Sequence, residues 1–288
     1  MSSELTAQIL VQGLMIGGIY ALAATGLTLI AGVMNIINIA HGELMMLAMY
    51  TTYFLYTIFG VDPLLSVFVT LPLFFVIGCF LQRFCIERLL TGPPMSVIIF
   101  AAGLLFFAQN FAAFWWTQDF KVLRGYATLT FDFMGLKFTT TRLAILFAAI
   151  LVTVLLYIFL SKTRMGRAIR ATSQNIESAA LMGVNVKRVR VIAFGLGVAL
   201  AGLAGSLLIP VYYLYPAVGT PFSVMALIVV FLGGMGSVFG ALIGGLALGI
   251  IEAFTGFYLA LELKDIAAFI AFIIILLVRP WGLFGRKE

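Results

Sequence analysis

Apolar residues occupy long blocks of this chain, and the polar residues that interrupt them are gathered into a few short stretches. Leu5 to Ala31 forms the first block, Leu143 to Ser161 carries no charge, and Val191 to Ile251 runs for 61 residues without one. About 20 apolar residues suffice to cross the hydrocarbon of a bilayer as a helix. The first two blocks therefore read as one crossing each, and the third must turn at least once. Pro210, Pro216, Gly219 and Pro221, with Tyr212, Tyr213 and Tyr215, mark that turn at an interface. The next piece, 222–232, is short for a full span and reads as a tilted, broken or re-entrant helix. Earlier in the chain, MNIINIAHGEL leads into a second span, and 63–82 forms a third with a kink expected at Pro72. A fourth covers about 94–115 and ends in the interfacial pair Trp115–Trp116. The segment 117–141 mixes charges with β-formers (TLTFDFMGLKF) and reads as an external hairpin-like loop. Glu262, Lys264 and Asp265 form a last external turn before a helix from Ile266 to Val278. The expected fold is all-α, a polytopic transmembrane helical bundle of about 8 spans in one domain, 1–288.

Charge decides the orientation. The loop 162–190 holds seven basic residues (Lys162, Arg164, Arg167, Arg170, Lys187, Arg188, Arg190) against one acid, Glu177, and its net +6 equals that of the whole chain. Basic loops stay cytoplasmic, so 162–190, the cluster Arg83, Glu87 and Arg88, and the tail GRKE are expected inside. The amino terminus carries an acid and no Lys or Arg, so it is expected outside, as the start of a retained first span rather than a cleaved signal. Composition agrees: 63% of residues are hydrophobic, 10% are charged and the mean hydropathy is +1.17, against about 25% charged in a soluble domain. The high pI does not indicate nucleic acid, because the basic residues sit at span ends with no aromatic-interleaved basic face.

Inside the basic loop the residues read as a folded element. Asn175 is a candidate N-cap, Glu177 falls in a first turn, Ile176 to Met182 is helix-forming, and Gly183 stands where a left-handed C-cap belongs. Ile176, Ala179, Ala180 and Val184 would share a small apolar face. So short a helix is marginal alone, so it packs against its own spans or against another protein. The competing reading is a basic juxtamembrane loop that sets topology and touches lipid headgroups.

Glycines and isolated polar residues mark the spans themselves. Gly13, Gly17, Gly18, Gly26 and Gly32 recur along the first, and Gly236, Gly240 and Gly244 follow at four-residue intervals, a pattern for close helix packing. Asn35, Asn38, His41 and Glu43 are too polar to face lipid. With Asn35, Asn38 and His41 one turn apart in succession, they either line a path or gate, or make structural hydrogen bonds where the second span begins and Gly42 permits a break. Glu252 is the acid of the last glycine-rich helix, either functional within the membrane or solvated near the external interface. Gln109 and Asn110 are candidates to face the bundle. Cys79 and Cys85 indicate no disulfide framework, and His41 with Glu43 cannot complete a metal sphere. The chain has no G-x-x-x-x-G-K-[ST], no H-E-x-x-H and one histidine, so it is not expected to bind nucleotide or to be an enzyme. Nor do regularly placed intramembrane carboxylates suggest an ion-coupled carrier.

Four stretches, GRAIRATSQNIESAALMGVNVKRVRVIAFGLGVALAGLAGSL, GLTLIAGVMNIINIAHGELMMLAMY, VVFLGGMGSVFGALIGGLALGIIEAF and VRPWGLFGRKE, resemble the membrane-spanning permease subunits of bacterial ABC importers for branched-chain amino acids. The resemblance covers most of the chain and is weakest in 105–142. It implies that Asn175, Ile176, Glu177, Ala179, Ala180 and Gly183 belong to a coupling helix that docks into a groove on a cytoplasmic ATPase. It also implies a second permease subunit as a heterodimer partner, two ATP-binding subunits that hold the nucleotide, an external substrate-binding protein, no cofactor in this chain, and residence in the inner membrane. The substrate implied is Leu, Ile or Val, although related permeases carry urea or other small solutes. The alternative from the residues alone is a self-contained secondary transporter or channel whose basic loop only sets topology.

Overall fold

The computed structural model describes residues 3–93, 95–124, 126, 129–133 and 136–285. Its helices are α1 (Ser3–Met34), α2 (His41–Phe59), α3 (Pro63–Leu81), α4 (Glu87–Leu89), α5 (Met95–Trp116), α6 (Thr140–Lys162), α7 (Arg164–Gln174), α8 (Ile176–Leu181), α9 (Val186–Leu208), α10 (Gly219–Gly233), α11 (Val238–Tyr258) and α12 (Lys264–Val278). A π-helical turn, Gln82–Ile86, joins α3 to α4. The protein is an all-α membrane protein that carries a small hairpin, β1 (Thr130–Phe133) against β2 (Leu136–Thr139), in which Phe131 stacks on its partner Phe138. Among the described residues six helical stretches are long and apolar enough to cross a membrane: α1, α3 with its extension through α4, α5, α6, α9 and α11. The helix α10 is apolar but shorter.

Local chemistry sets the helix ends. Asp62 caps α3 by accepting from the Leu64 N–H at 2.8 Å, with Pro63 in the first turn where its missing N–H costs nothing. Thr163, Asn185 and Ser237 cap α7, α9 and α11 in the same way. Gly60 ends α2 at φ 66°, a left-handed conformation that a Cβ would strain. The carbonyls at the end of α10 take the Leu283 and Phe284 N–H groups, so the segment after α12 folds back to finish that helix.

Two helices form the centre. In α1, 89% of the membrane-length window is buried, and in α9 78%, against 22% in α3 and α5 and 28% in α6. What admits their neighbours is glycine. Gly13 and Gly17 of α1 lie against Ile250 and Leu246 of α11, and Gly249 lies back against Gly13 and Gly17. Gly26 of α1 meets Gly197 of α9, and Gly195 and Gly202 of α9 receive Phe75 and Phe74 of α3. The residue pairs show α11 antiparallel to α1 and α9 antiparallel to α3. Gly236, Gly240 and Gly244 close on Gly32 and on Gly233 of α10. These glycine contacts are therefore made within the chain.

The bundle has two distinct ends. At one, Arg190 pairs with Glu87 at 3.4 Å and α7 and α8 lie against the start of α9. The start of α11 and the segment at Trp281 to Gly285 meet there too. All the described basic loops share this end, so by the positive-inside rule it is cytoplasmic. The other end holds the start of α1, where Gln8 exchanges hydrogen bonds with the backbone of Lys137, and a backbone bridge between Lys121 and Leu214. The acidic amino-terminal segment thus lies opposite the basic loops. Residues 286–288 of the expected basic tail are outside the described residues.

Candidate functional site

The polar residues after α1 do not continue a helix. Asn35 leaves it at φ 53°, residues 35–40 run back along the bundle, and α2 begins only at His41. The expectation that Asn35, Asn38 and His41 stack one turn apart is thereby corrected: the left-handed Asn35 ends the helix and redirects the chain. Asn38 instead closes the turn, its side-chain oxygen accepting from the Ala40 N–H at 3.2 Å. His41 reaches back to the Ala23 carbonyl oxygen of α1 at 3.1 Å. Ala23 lies 11 residues from the end of α1, so α2 starts about 16 Å inside the bundle rather than at its face.

A second broken helix meets it there. After α9 the chain reaches the external end at Leu214 and turns inward, and α10 starts at Gly219 against Gly42. A Cβ on either glycine would overlap the other's backbone carbonyl, so only this pair lets the two helix starts touch. Ser223 of α10 locks the contact, accepting from the Gly42 N–H at 2.7 Å and donating to the Ile39 carbonyl at 2.9 Å. Glu43, 1% exposed, lies in the first turn of α2 beside the first turn of α10. Its Oε1 accepts from Thr220 Oγ1 at 2.9 Å and from Gln109 Nε2 of α5 at 3.0 Å. Three elements far apart in sequence thus converge on one carboxylate. The side-chain nitrogen of Asn38, Nδ1 of His41 and Oε2 of Glu43 are buried with no hydrogen-bond partner in the described chain, which is expensive in a membrane interior unless something else supplies one.

Glu252 stands apart from this cluster. It is 3% exposed and accepts from Tyr20 Oη of α1 at 2.7 Å. The alternative of a solvated carboxylate at the external surface is corrected, because the α1–α11 seam encloses it. Of the residues not singled out, Thr220 and Ser223 were hidden in an apolar run and gave no signal of their own. Asn110 bonds its own helix at Phe106 and takes no part. Thr52, Thr70 and Ser206 form a further buried hydroxyl chain joining α2, α3 and α9, with Oγ separations of 2.9 and 2.7 Å. Among the described residues no group of His, Cys, Asp and Glu gathers as a metal site.

At the cytoplasmic end α8 has the bounds expected of a short capped helix. Asn175 accepts from the Ser178 N–H at 2.8 Å, and Gly183 follows at φ 81°. Its apolar residues divide differently from the single face anticipated: Ala179 is buried and Ile176 and Val184 are half-buried against the protein's own helices, while Ala180 is exposed. The side chains presented outward are Leu181 at 88% and Met182 at 85% exposure, flanked by the exposed Glu177, Lys187 and Arg188.

The family described as the permease component of branched-chain amino acid transport systems matches this chain over residues 9–278. The chain belongs to that family. Among permeases similar to it, the high-affinity branched-chain amino acid transport system permease protein LivH of Escherichia coli K12 is 32% identical over 96% of this chain and 94% of its own length. BraD of Pseudomonas aeruginosa, a permease protein of the same description, is 33% identical over 98% and 96%. The solved structure of PsaBC from Streptococcus pneumoniae in complex with Fab shares the fold, with a TM-score of 0.54 at 12% identity, over 95% of this chain and 92% of that one. In this permease the exposed short helix α8 leads into the cytoplasmic start of α9, and the middle of α9, at Gly197 and Leu200, packs on Gly26 of α1 beside His41 at the start of α2.

Proposed function

We propose that this permease is one of two membrane-spanning subunits of an ATP-driven importer of the inner membrane, and that it forms part of the path by which a branched-chain amino acid, released by an external binding protein, reaches the cytoplasm. Membership of the permease family over nearly the whole chain carries this reading. The capped helix α8 supports it: Leu181 and Met182 stand almost fully exposed on a cytoplasmic element too short to be stable alone, as a docking knob for a partner requires. On this reading 1–288 is a single permease domain, and Asn175, Ile176, Glu177, Ala179, Ala180 and Gly183 build and hold the coupling helix. A pair of cytoplasmic ATP-binding subunits holds and hydrolyses the nucleotide, a second permease completes the path, and this chain needs no cofactor and performs no catalysis. Asn35, Asn38, His41 and Glu43 belong to the path or its gate, and Glu252 to its supporting wall.

The test is uptake of labelled Leu, Ile, Val and urea by vesicles carrying the permease with its partner subunits and binding protein. ATP-dependent accumulation of the three amino acids, with no urea uptake, is expected. Uptake that persists without any ATPase would replace the importer with a self-contained carrier, and urea uptake alone would replace the substrate.

A further inference from the structure

We propose that Glu43, seated where α2 and α10 begin, is the counter-ion for the α-ammonium group of an amino acid in transit. This deepens the reading above and rests on it. One carboxylate oxygen is occupied by Thr220 and Gln109, while the other is buried and has no partner in the described chain. Nor does the chain offer Glu43 a cation nearby in sequence. The first basic residue is Arg83, and neither 1–82 nor 191–263, which supply α1, α2, α10, α11 and all of α9 beyond residue 190, contains a Lys or Arg; Lys187, Arg188 and Arg190 lie at the cytoplasmic start of α9. The ion pair formed among the described residues is at the cytoplasmic end, between Arg190 and Glu87.

A carboxylate in such surroundings needs compensation to stay charged. The starts of α2 and α10 give a partial answer, since both place the positive ends of their dipoles beside it. A full positive charge is still missing, and an amino acid carries one next to its carboxylate. The site is within reach of a permeant: Gln109 and Thr220 are only half-buried, so the cluster comes to the surface of the bundle beside α5. Gln109 also donates to Thr220 at 2.8 Å, which fixes the bonded oxygen and leaves Oε2 as the open position. Glu252 also has one buried carboxylate oxygen without a partner in the described chain, but it lies with Tyr20 inside the α1–α11 seam, whereas the Glu43 cluster reaches the half-buried Gln109 and Thr220.

The test uses the membrane-embedded complex with Cys79→Ser, Cys85→Ser and Gln109→Cys, labelled with ethylammonium or ethylsulfonate methanethiosulfonate. The expected result is a cation-to-anion rate ratio at least tenfold above that of a free thiol. Leucine should slow the labelling and N-acetylleucine, which lacks the ammonium, should not. Adding Glu43→Gln should return the ratio to the free-thiol value. A thiol that does not react, a ratio without cation preference, or a preference that survives Glu43→Gln overturns the proposal. So does protection on pairing with the second permease in the absence of any amino acid, which would mean that a partner side chain fills the seat. If the parent complex moves no amino acid, the transport reading fails instead, and that result is separate from the labelling ratio.

Discussion

The glycine seam between α1 and α11 makes a prediction in which one chemical change has opposite signs at two positions. Gly17 lies in this seam, where an added Cβ would come 2.6 Å from the Leu246 Cα and 2.8 Å from the Gly245 carbonyl oxygen. Both neighbours are backbone and cannot rotate away. Restoring an ordinary contact near 3.4 Å requires the helices to part by about 0.8 Å, and overpacking of this kind costs about 1–3 kcal/mol. Gly103 is exposed on α5 with nothing within 4 Å of its Cβ position. Alanine in place of glycine in a helix interior gains at most about 1 kcal/mol at either site. The difference between Gly17→Ala and Gly103→Ala therefore isolates the packing term, about 1–3 kcal/mol, or roughly 5- to 150-fold in the unfolding equilibrium. Reversible unfolding of the purified permease in mixed micelles reads it directly. Gly17→Ala should destabilise, and Gly103→Ala should be neutral or stabilising. Equal shifts at the two positions would mean that the seam does not hold the bundle together, and would undo the account of its central helices.

Removing the Tyr20 hydroxyl as Tyr20→Phe should cost about 1–2 kcal/mol by leaving the buried Glu252 oxygen unpaired, and a double-mutant cycle with Glu252→Leu should return a coupling energy near 1 kcal/mol. Additive effects in that cycle would deny the bond. Leu181→Glu with Met182→Glu, or Gly183→Val alone, should leave the permease inserted yet lower retention of the ATPase on affinity purification at least tenfold, the first through charge on an apolar contact and the second through strain at φ 81°. Normal retention and transport in both would reduce 162–190 to a topology signal. Glu4→Cys should react with an impermeant thiol reagent in intact cells, whereas Ser173→Cys, exposed at the opposite end, should react only after lysis. The reverse pattern would invert the orientation.

The class of this protein, its orientation and the short helix in its basic loop were all legible along the chain, because each depends on local chemistry. Membrane-length apolar blocks, a loop carrying the whole net charge, an Asn N-cap with a Gly seven residues past the helix start: none of these requires knowledge of what packs where. Burial is different. The most apolar spans, α3 and α6, lie mostly exposed at the edge of the bundle, and the less apolar α1 occupies its centre. Within a bilayer hydropathy does not sort helices inward, since lipid is as apolar as the core, so small residues that permit close approach decide the order. The glycine spacing announced such contacts but not their partners. The site needed the tertiary structure for a similar reason. Asn35 and Asn38 look like consecutive helical turns until the positive φ at Asn35 breaks the helix, and Thr220 and Ser223 look like incidental hydroxyls until α10 starts against Gly42. What brings Glu43, Gln109 and Thr220 within 3.0 Å of one another is the meeting of two helix starts whose residues Glu43 and Thr220 are 177 apart in sequence, a long-range contact that no local pattern encodes.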